Sequence, residues 1–145
     1  MLLLAIQWRV GHVKKIGTMT LHKYKLVFNT GADVAYANVI AGEKGDKVEG
    51  VLYDLDDEQI GKLDWCEGYP VNYQKKYFSN EEGHIVYMYV SSAKGHLRNP
   101  RLPDRSYIID LYNGAKENGL EDTRLFLKDY LANVLKQPLI SKKIK

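Results

Sequence analysis

The 145-residue chain is 45% hydrophobic and 27% charged, a balance that suits one domain able to build its own core. Its single cysteine, Cys66, excludes an intramolecular disulfide framework and a multi-cysteine zinc site, and fits a reducing, cytoplasmic setting. Lysine and arginine number 21 against 18 acidic residues, but taking Lys136, Lys142, Lys143 and Lys145 from the +3 total leaves the body at −1. No broad cationic groove for a nucleic acid is therefore expected. The apolar run from Met1 ends at Gln7, too soon for a signal-peptide core or a membrane span. One domain over 1–136 and a solvated basic tail over 137–145 are expected.

Leu2–Trp8 opens the chain as an apolar strand. Lys15–Leu21 and Tyr24–Asn29 are short β-prone runs, and Val34–Ile40 follows a turn at Asn29–Asp33. After the turn Ala41–Asp46, Val48–Leu55 resumes the sheet. Asp56–Glu67 is predicted to be a short helix. Asp56 caps it, Gln59 stands in the capping-box position, Ile60 and Leu63 form its apolar stripe and Gly68 ends it. Val71–Phe78 and His84–Val90 read as a hairpin about Ser79–Gly83, and Ser91–Pro103 is the long connection.

Asp104 is placed to cap a helix carrying Tyr107, Ile108, Leu111, Tyr112 and Ala115, ending near Asn118-Gly119. A last helix, roughly Asp122 to Lys136, brings Leu127, Tyr130, Leu131 and Val134 to one face. Strands first and helices last predict an α+β fold. Its sheet is expected to be small, mixed and strongly curved, approaching a barrel, with the short embedded helix at one opening and two C-terminal helices covering it. A doubly wound parallel sheet does not fit this order.

The chain has neither a glycine-rich nucleotide loop nor a dinucleotide fingerprint, and His12, His22, His84 and His96 are scattered. No metal and no cofactor are expected. Leu63-Asp-Trp-Cys-Glu-Gly-Tyr69 is the segment that can carry chemistry. Glu67 falls on the last turn of a helix, whose dipole disfavours a carboxylate there, and burial against Trp65 or Tyr69 would disfavour it further. A carboxyl group held in this way can take and return protons near neutral pH. On residue types alone, a solvated glutamate ahead of a capping glycine is the simpler reading, and Cys66 reads as a small buried side chain. The eleven tyrosines suit the walls of a cavity for a small zwitterion, but composition does not select among them.

Four segments, in this order, carry a resemblance: Ile16-Gly-Thr-Met-Thr-Leu with Tyr24-Lys-Leu-Val-Phe; Val48-Glu-Gly-Val-Leu-Tyr-Asp-Leu55; Leu63-Asp-Trp-Cys-Glu-Gly; and Gly114-Ala-Lys-Glu-Asn-Gly-Leu120. From about Lys15 to Leu131 the chain resembles the gamma-glutamyl cyclotransferase family, including its gamma-glutamylamine cyclotransferase and AIG2-like branches. The resemblance implies a lyase or acyltransferase that needs no cofactor. In its reaction the α-amino group of a gamma-glutamyl compound attacks its own γ-carbonyl, giving 5-oxoproline and an amine or amino acid. It assigns Glu67 as acid/base and Tyr107 to the substrate pocket, with Tyr69 beside them.

Family members open on a Tyr-Gly-Ser-Asn loop that this chain lacks, and Gln7, Gly11 and nearby backbone amides are the candidates to replace its donors. Divergence, a start placed too late and replacement by another loop each account for the difference. The implied partner is a small gamma-glutamyl or acidic ligand, with no nucleic acid and no membrane, and the implied state is a monomer or weak homodimer. The alternative is a non-catalytic domain of the same fold that binds a small ligand or a protein.

Overall fold

Among the described residues, short β-branched and aromatic runs separated by turns give seven strands: β1 Leu2–Ala5, β2 Lys14–His22, β3 Tyr24–Thr30, β4 Tyr36–Ala41, β5 Lys47–Asp54, β6 Tyr73–Ser79 and β7 Ile85–Ser91. Three helices accompany these strands among the described residues: α1 Asp57–Glu67 between β5 and β6, then α2 Arg105–Glu117 and α3 Glu121–Asn133. The computed structural model describes residues 1–6, 12–31, 34–92, 96 and 101–135. Gln7, Gly11, most of the 91–103 connection and the tail 137–145 lie outside the described residues.

β1 is the central strand, antiparallel to β5 and parallel to β7. β2 extends the sheet beyond β5 and β6 extends it beyond β7, giving a mixed five-stranded sheet in the order β2-β5-β1-β7-β6. β3 and β4 form a separate hairpin that packs on β5 at one side and β7 at the other. The buried Asn38 fastens this hairpin. Its Nδ2 donates to Asn29 Oδ1 at 3.0 Å, and its Oδ1 accepts from the Ser91 amide of β7 at 2.9 Å. The curved sheet thus approaches a barrel through side-chain bonds and packing where no strand ladder joins β4 to β7.

Period-two alternation puts the sheet between two apolar layers. Leu3, Val51, Tyr53 and Tyr87 belong to one cluster with Tyr107, Ile108, Leu111, Ala115, Leu127 and Leu131 of the C-terminal helices. Leu4, Val48, Leu52, Val86 and Met88 pack on the other side with Leu21 and Val39. Burial of each aliphatic side chain contributes about 1.5–3 kcal/mol before ordering costs are counted.

The capping box of α1 forms as expected: Asp56 Oδ1 accepts from the Gln59 amide at 2.8 Å, and Gln59 Oε1 accepts from the Asp56 amide at 3.0 Å. Gly68 ends the helix in the left-handed region at φ 66°. Two expectations for the later helices are corrected. Asp104 precedes α2, but its side chain makes no capping bond. Val134 lies past the end of α3 and is exposed, because the helix stops at Asn133. The cap of α3 comes from the sheet: Glu49 of β5 accepts from the Thr123 amide at 2.9 Å and from its hydroxyl at 3.1 Å.

Candidate active site

A cavity of about 60 Å3 lies between the last turns of α1, the C-terminal half of β1 and strands β4, β6 and β7. Leu3, Leu4, Ala5, Ile6, Ala37, Leu63 and Met88 make its apolar wall, and Glu67, Tyr73 and Tyr89 are its polar groups. Helical spacing explains why α1 supplies both Leu63 and Glu67: residues four apart share a face. Strand alternation brings Tyr73 from β6 and Tyr89 from β7 to the same side. Glu67 is half-buried, and it is the charged side chain among the described residues of the wall.

Tyr73 sits within electrostatic reach of Glu67, Tyr107 and Tyr36. Burial first, and then the Glu67 charge, hold its phenol pKa well above the ordinary value, so it remains a protonated donor at neutral pH. Tyr89 is also held upward by burial and by donating to Asp64 Oδ1 at 2.6 Å. Lys75 lies 3.0 Å from both Asp64 carboxylate oxygens. Burial opposes its charge, but the Asp64 bond and charge outweigh that and raise its pKa.

The sequence-derived residues separate here. Glu67 is in the cavity wall. Tyr107 stands behind it: its ring is buried, and its hydroxyl accepts from the amide of the wall residue Ala37 at 2.9 Å. Tyr69 is 38% exposed, not among the lining residues, and its ring lies 4.4 Å from the Lys75 ammonium. Gln7 and Gly11 are outside the described residues, although the described segment leading to them ends at the wall residue Ile6.

Two local expectations fail. Trp65 is 85% exposed, because two helical steps from Glu67 carry it to the opposite face, so it does not desolvate the carboxylate. Cys66 is exposed rather than a buried apolar side chain. Sequence reasoning did not single out Tyr73, Tyr89 or Asp64. The signal for Asp64 was its position three residues before Glu67 on one helix face; the two tyrosines carry no signal beyond alternation. Among the described residues, no group of three or more His, Cys, Asp and Glu side chains could hold a metal. No described helix is long and apolar enough to cross a membrane.

The model of the family described as gamma-glutamyl cyclotransferase, AIG2-like, matches residues 4–108, which include the end of β1, the cavity wall apart from Leu3, and α1. The chain belongs to this family. A Halalkalibacterium halodurans protein with the provisional name gamma-glutamylcyclotransferase is 28% identical over 90 residues, covering 59% of this chain and 79% of its own. A solved gamma-glutamyl cyclotransferase superposes with a TM-score of 0.72 at 21% identity, over 99% of this chain and 91% of that one. An uncharacterized protein from Homo sapiens gives the same TM-score at 20% identity, over 99% and 92% of the two chains. YkqA from Bacillus subtilis gives 0.63 at 21% identity, over 86% of this chain and 46% of its own. These likenesses establish a gamma-glutamyl cyclotransferase fold over 99% of the chain, past the end of the family match at residue 108.

Proposed function

We propose that the protein releases 5-oxoproline and an amine or amino acid from a gamma-glutamyl compound, with Glu67 as general acid/base. The observation that carries this reading is one carboxylate in the wall of a largely apolar cavity, with the protonated Tyr73 phenol within its electrostatic reach. Glu67 takes a proton from the substrate's α-ammonium. The freed amine attacks the γ-carbonyl carbon, forming the ring C–N bond and a tetrahedral oxyanion. Collapse of that intermediate breaks the original amide C–N bond. In all, two protons pass from the attacking to the leaving nitrogen, relayed by Glu67, so 5-oxoproline and an ammonium product leave and Glu67 is regenerated. Tyr73 donates a hydrogen bond to the substrate, Tyr107 supports the wall through Ala37, and Gln7 and Gly11 supply polar contacts. Because the attack is intramolecular, holding the substrate folded supplies much of the acceleration.

The reading includes a cytoplasmic enzyme, active as a monomer or weak homodimer and needing neither metal nor cofactor. An exposed Cys66 thiol is in keeping with a reducing compartment. The test is 5-oxoproline release from a panel of gamma-glutamyl amino acids and amines by the wild type and by Glu67→Gln. The substitution is expected to lower turnover about 100-fold or more. The absence of the Tyr-Gly-Ser-Asn loop favours a second reading, a binding module of the same fold. Tight ligand binding with no turnover would establish that one instead.

A further inference from the structure

α1 has a weak apolar hold on the rest of the molecule: none of its residues is fully buried, and no basic residue stands in its last turn. The last turn, which ends in Glu67, is instead held by a polar latch. The Asp64 side chain is 24% exposed and that of Lys75 11%. Both Asp64 oxygens lie 3.0 Å from Lys75 Nζ, and Oδ1 also accepts from the Tyr89 hydroxyl at 2.6 Å. The ammonium is enclosed by the rings of Tyr69 at 4.4 Å and Tyr87 at 5.0 Å. The backbone carbonyl of Asp64 accepts from the Tyr69 amide at 2.9 Å, closing the helix beyond Gly68.

We propose that Asp64 is a positioning residue for Glu67, acting through this latch to Lys75 of β6 and Tyr89 of β7. The inference rests on the acid/base reading of Glu67 given above. Asp64 and Glu67 are three residues apart on one helix face, so fixing one carboxylate to the sheet fixes the direction of the other. Tyr89 lines the cavity while donating to Asp64, which ties the latch to the wall it serves. An ion pair with two defined acceptor sites sets the rotation of a short helix more narrowly than a smooth apolar contact does. A misplacement of about 1 Å at a reacting group can cost on the order of 100-fold in rate.

Asp64 and Lys75 also balance one another in charge. Among the described residues, Tyr73 of β6 interacts with Glu67 directly and Asp64 stands one turn before it on its own helix; Lys75 of β6 and Tyr89 of β7 reach it through Asp64, and Tyr107 of α2 and Tyr36 of β4 through Tyr73. Removing the anion leaves a cation that favours ionised Glu67, whereas removing the cation leaves an anion that disfavours it.

The test compares Asp64→Asn, Lys75→Met and Tyr89→Phe with Lys62→Met, whose exposed pair with Glu58 lies elsewhere on α1. With the best gamma-glutamyl substrate of the wild type, Asp64→Asn is expected to lower kcat by about 10- to 100-fold with KM changed less than about 3-fold. The acidic limb of the pH profile should move to lower pH in Asp64→Asn and to higher pH in Lys75→Met, opposite shifts that simple loosening does not produce. Tyr89→Phe, which removes one bond and no charge, should lower kcat without moving the limb; if Asp64→Asn does not fold, Tyr89→Phe and Lys75→Met carry the same test. Lys62→Met should match the wild type. A folded Asp64→Asn protein with kcat within 2-fold of wild type, or limbs moving in the same direction, would overturn the proposal. If the wild type has no turnover, the acid/base reading fails and the latch is judged by hydrogen exchange at amides 65–69. Lost protection in Asp64→Asn supports the latch, and unchanged protection refutes it.

Discussion

Replacing Tyr107 with Phe removes one atom, and the structure says what that atom holds. The Tyr107 hydroxyl accepts from the Ala37 amide at 2.9 Å, and both residues are buried. The Phe ring keeps the edge contacts with Phe28 and Tyr36, so no large cavity opens. What remains is a buried N–H without its acceptor, a loss of about 1–3 kcal/mol. For a chain of this size that corresponds to a fall in Tm of about 4–12 °C. Urea unfolding followed by circular dichroism should show a lower midpoint with an unchanged m value, since the surface exposed on unfolding is the same. Tyr107→Ala should lose more, about 3–5 kcal/mol, because it adds a cavity. A Phe variant within about 0.5 kcal/mol of wild type would refute the assignment of this hydroxyl as the tie between α2 and β4, since that lies within the range of ordinary surface substitutions.

Gly68→Ala should cost about 1–2 kcal/mol in urea unfolding, because φ is 66° and the new Cβ would meet Asn72 Nδ2 at 2.6 Å. Gly50→Ala drives a Cβ to 2.7 Å from Leu4 Cδ1 and 3.0 Å from the Ala5 carbonyl oxygen, so a loss of about 1–3 kcal/mol is expected, with NMR shift changes concentrated in β1. Tyr73 and Tyr89 have folded-state pKa values raised above those of the unfolded chain. Their contribution is therefore fully present below about pH 10 and is lost as pH rises beyond it, where the unfolded chain releases protons that the fold retains. Urea midpoints between pH 8 and 11 should fall less steeply in the Tyr73→Phe, Tyr89→Phe double variant.

Much of the architecture is legible because its causes are local. The α1 cap follows from Asp56, Gln59 and Gly68, and the core face of α2 from the spacing of Tyr107, Ile108, Leu111, Tyr112 and Ala115. What is not legible depends on chain segments far apart. Glu49 caps α3 across 74 residues, and Asn38 joins β4 to β7 across 53. At the site, Glu67 can be singled out from its helix end and its motif, but the direction of its neighbours depends on rotation about α1. That rotation sends Trp65 to solvent and turns Leu63 to the cavity. Tyr73 and Tyr89 sit among many alternating tyrosines, and only the pairing of β6 with β7 and the path of α1 select them.

The central claim rests on one carboxylate, and the most direct measurement is 5-oxoproline formed from gamma-glutamyl amino acids and amines by wild type and Glu67→Gln at equal, verified folded concentrations. The account predicts release by the wild type from at least one of these compounds and a fall of about 100-fold or more in the variant, with unfolding midpoints nearly the same. Equal 5-oxoproline release by the two proteins would contradict it.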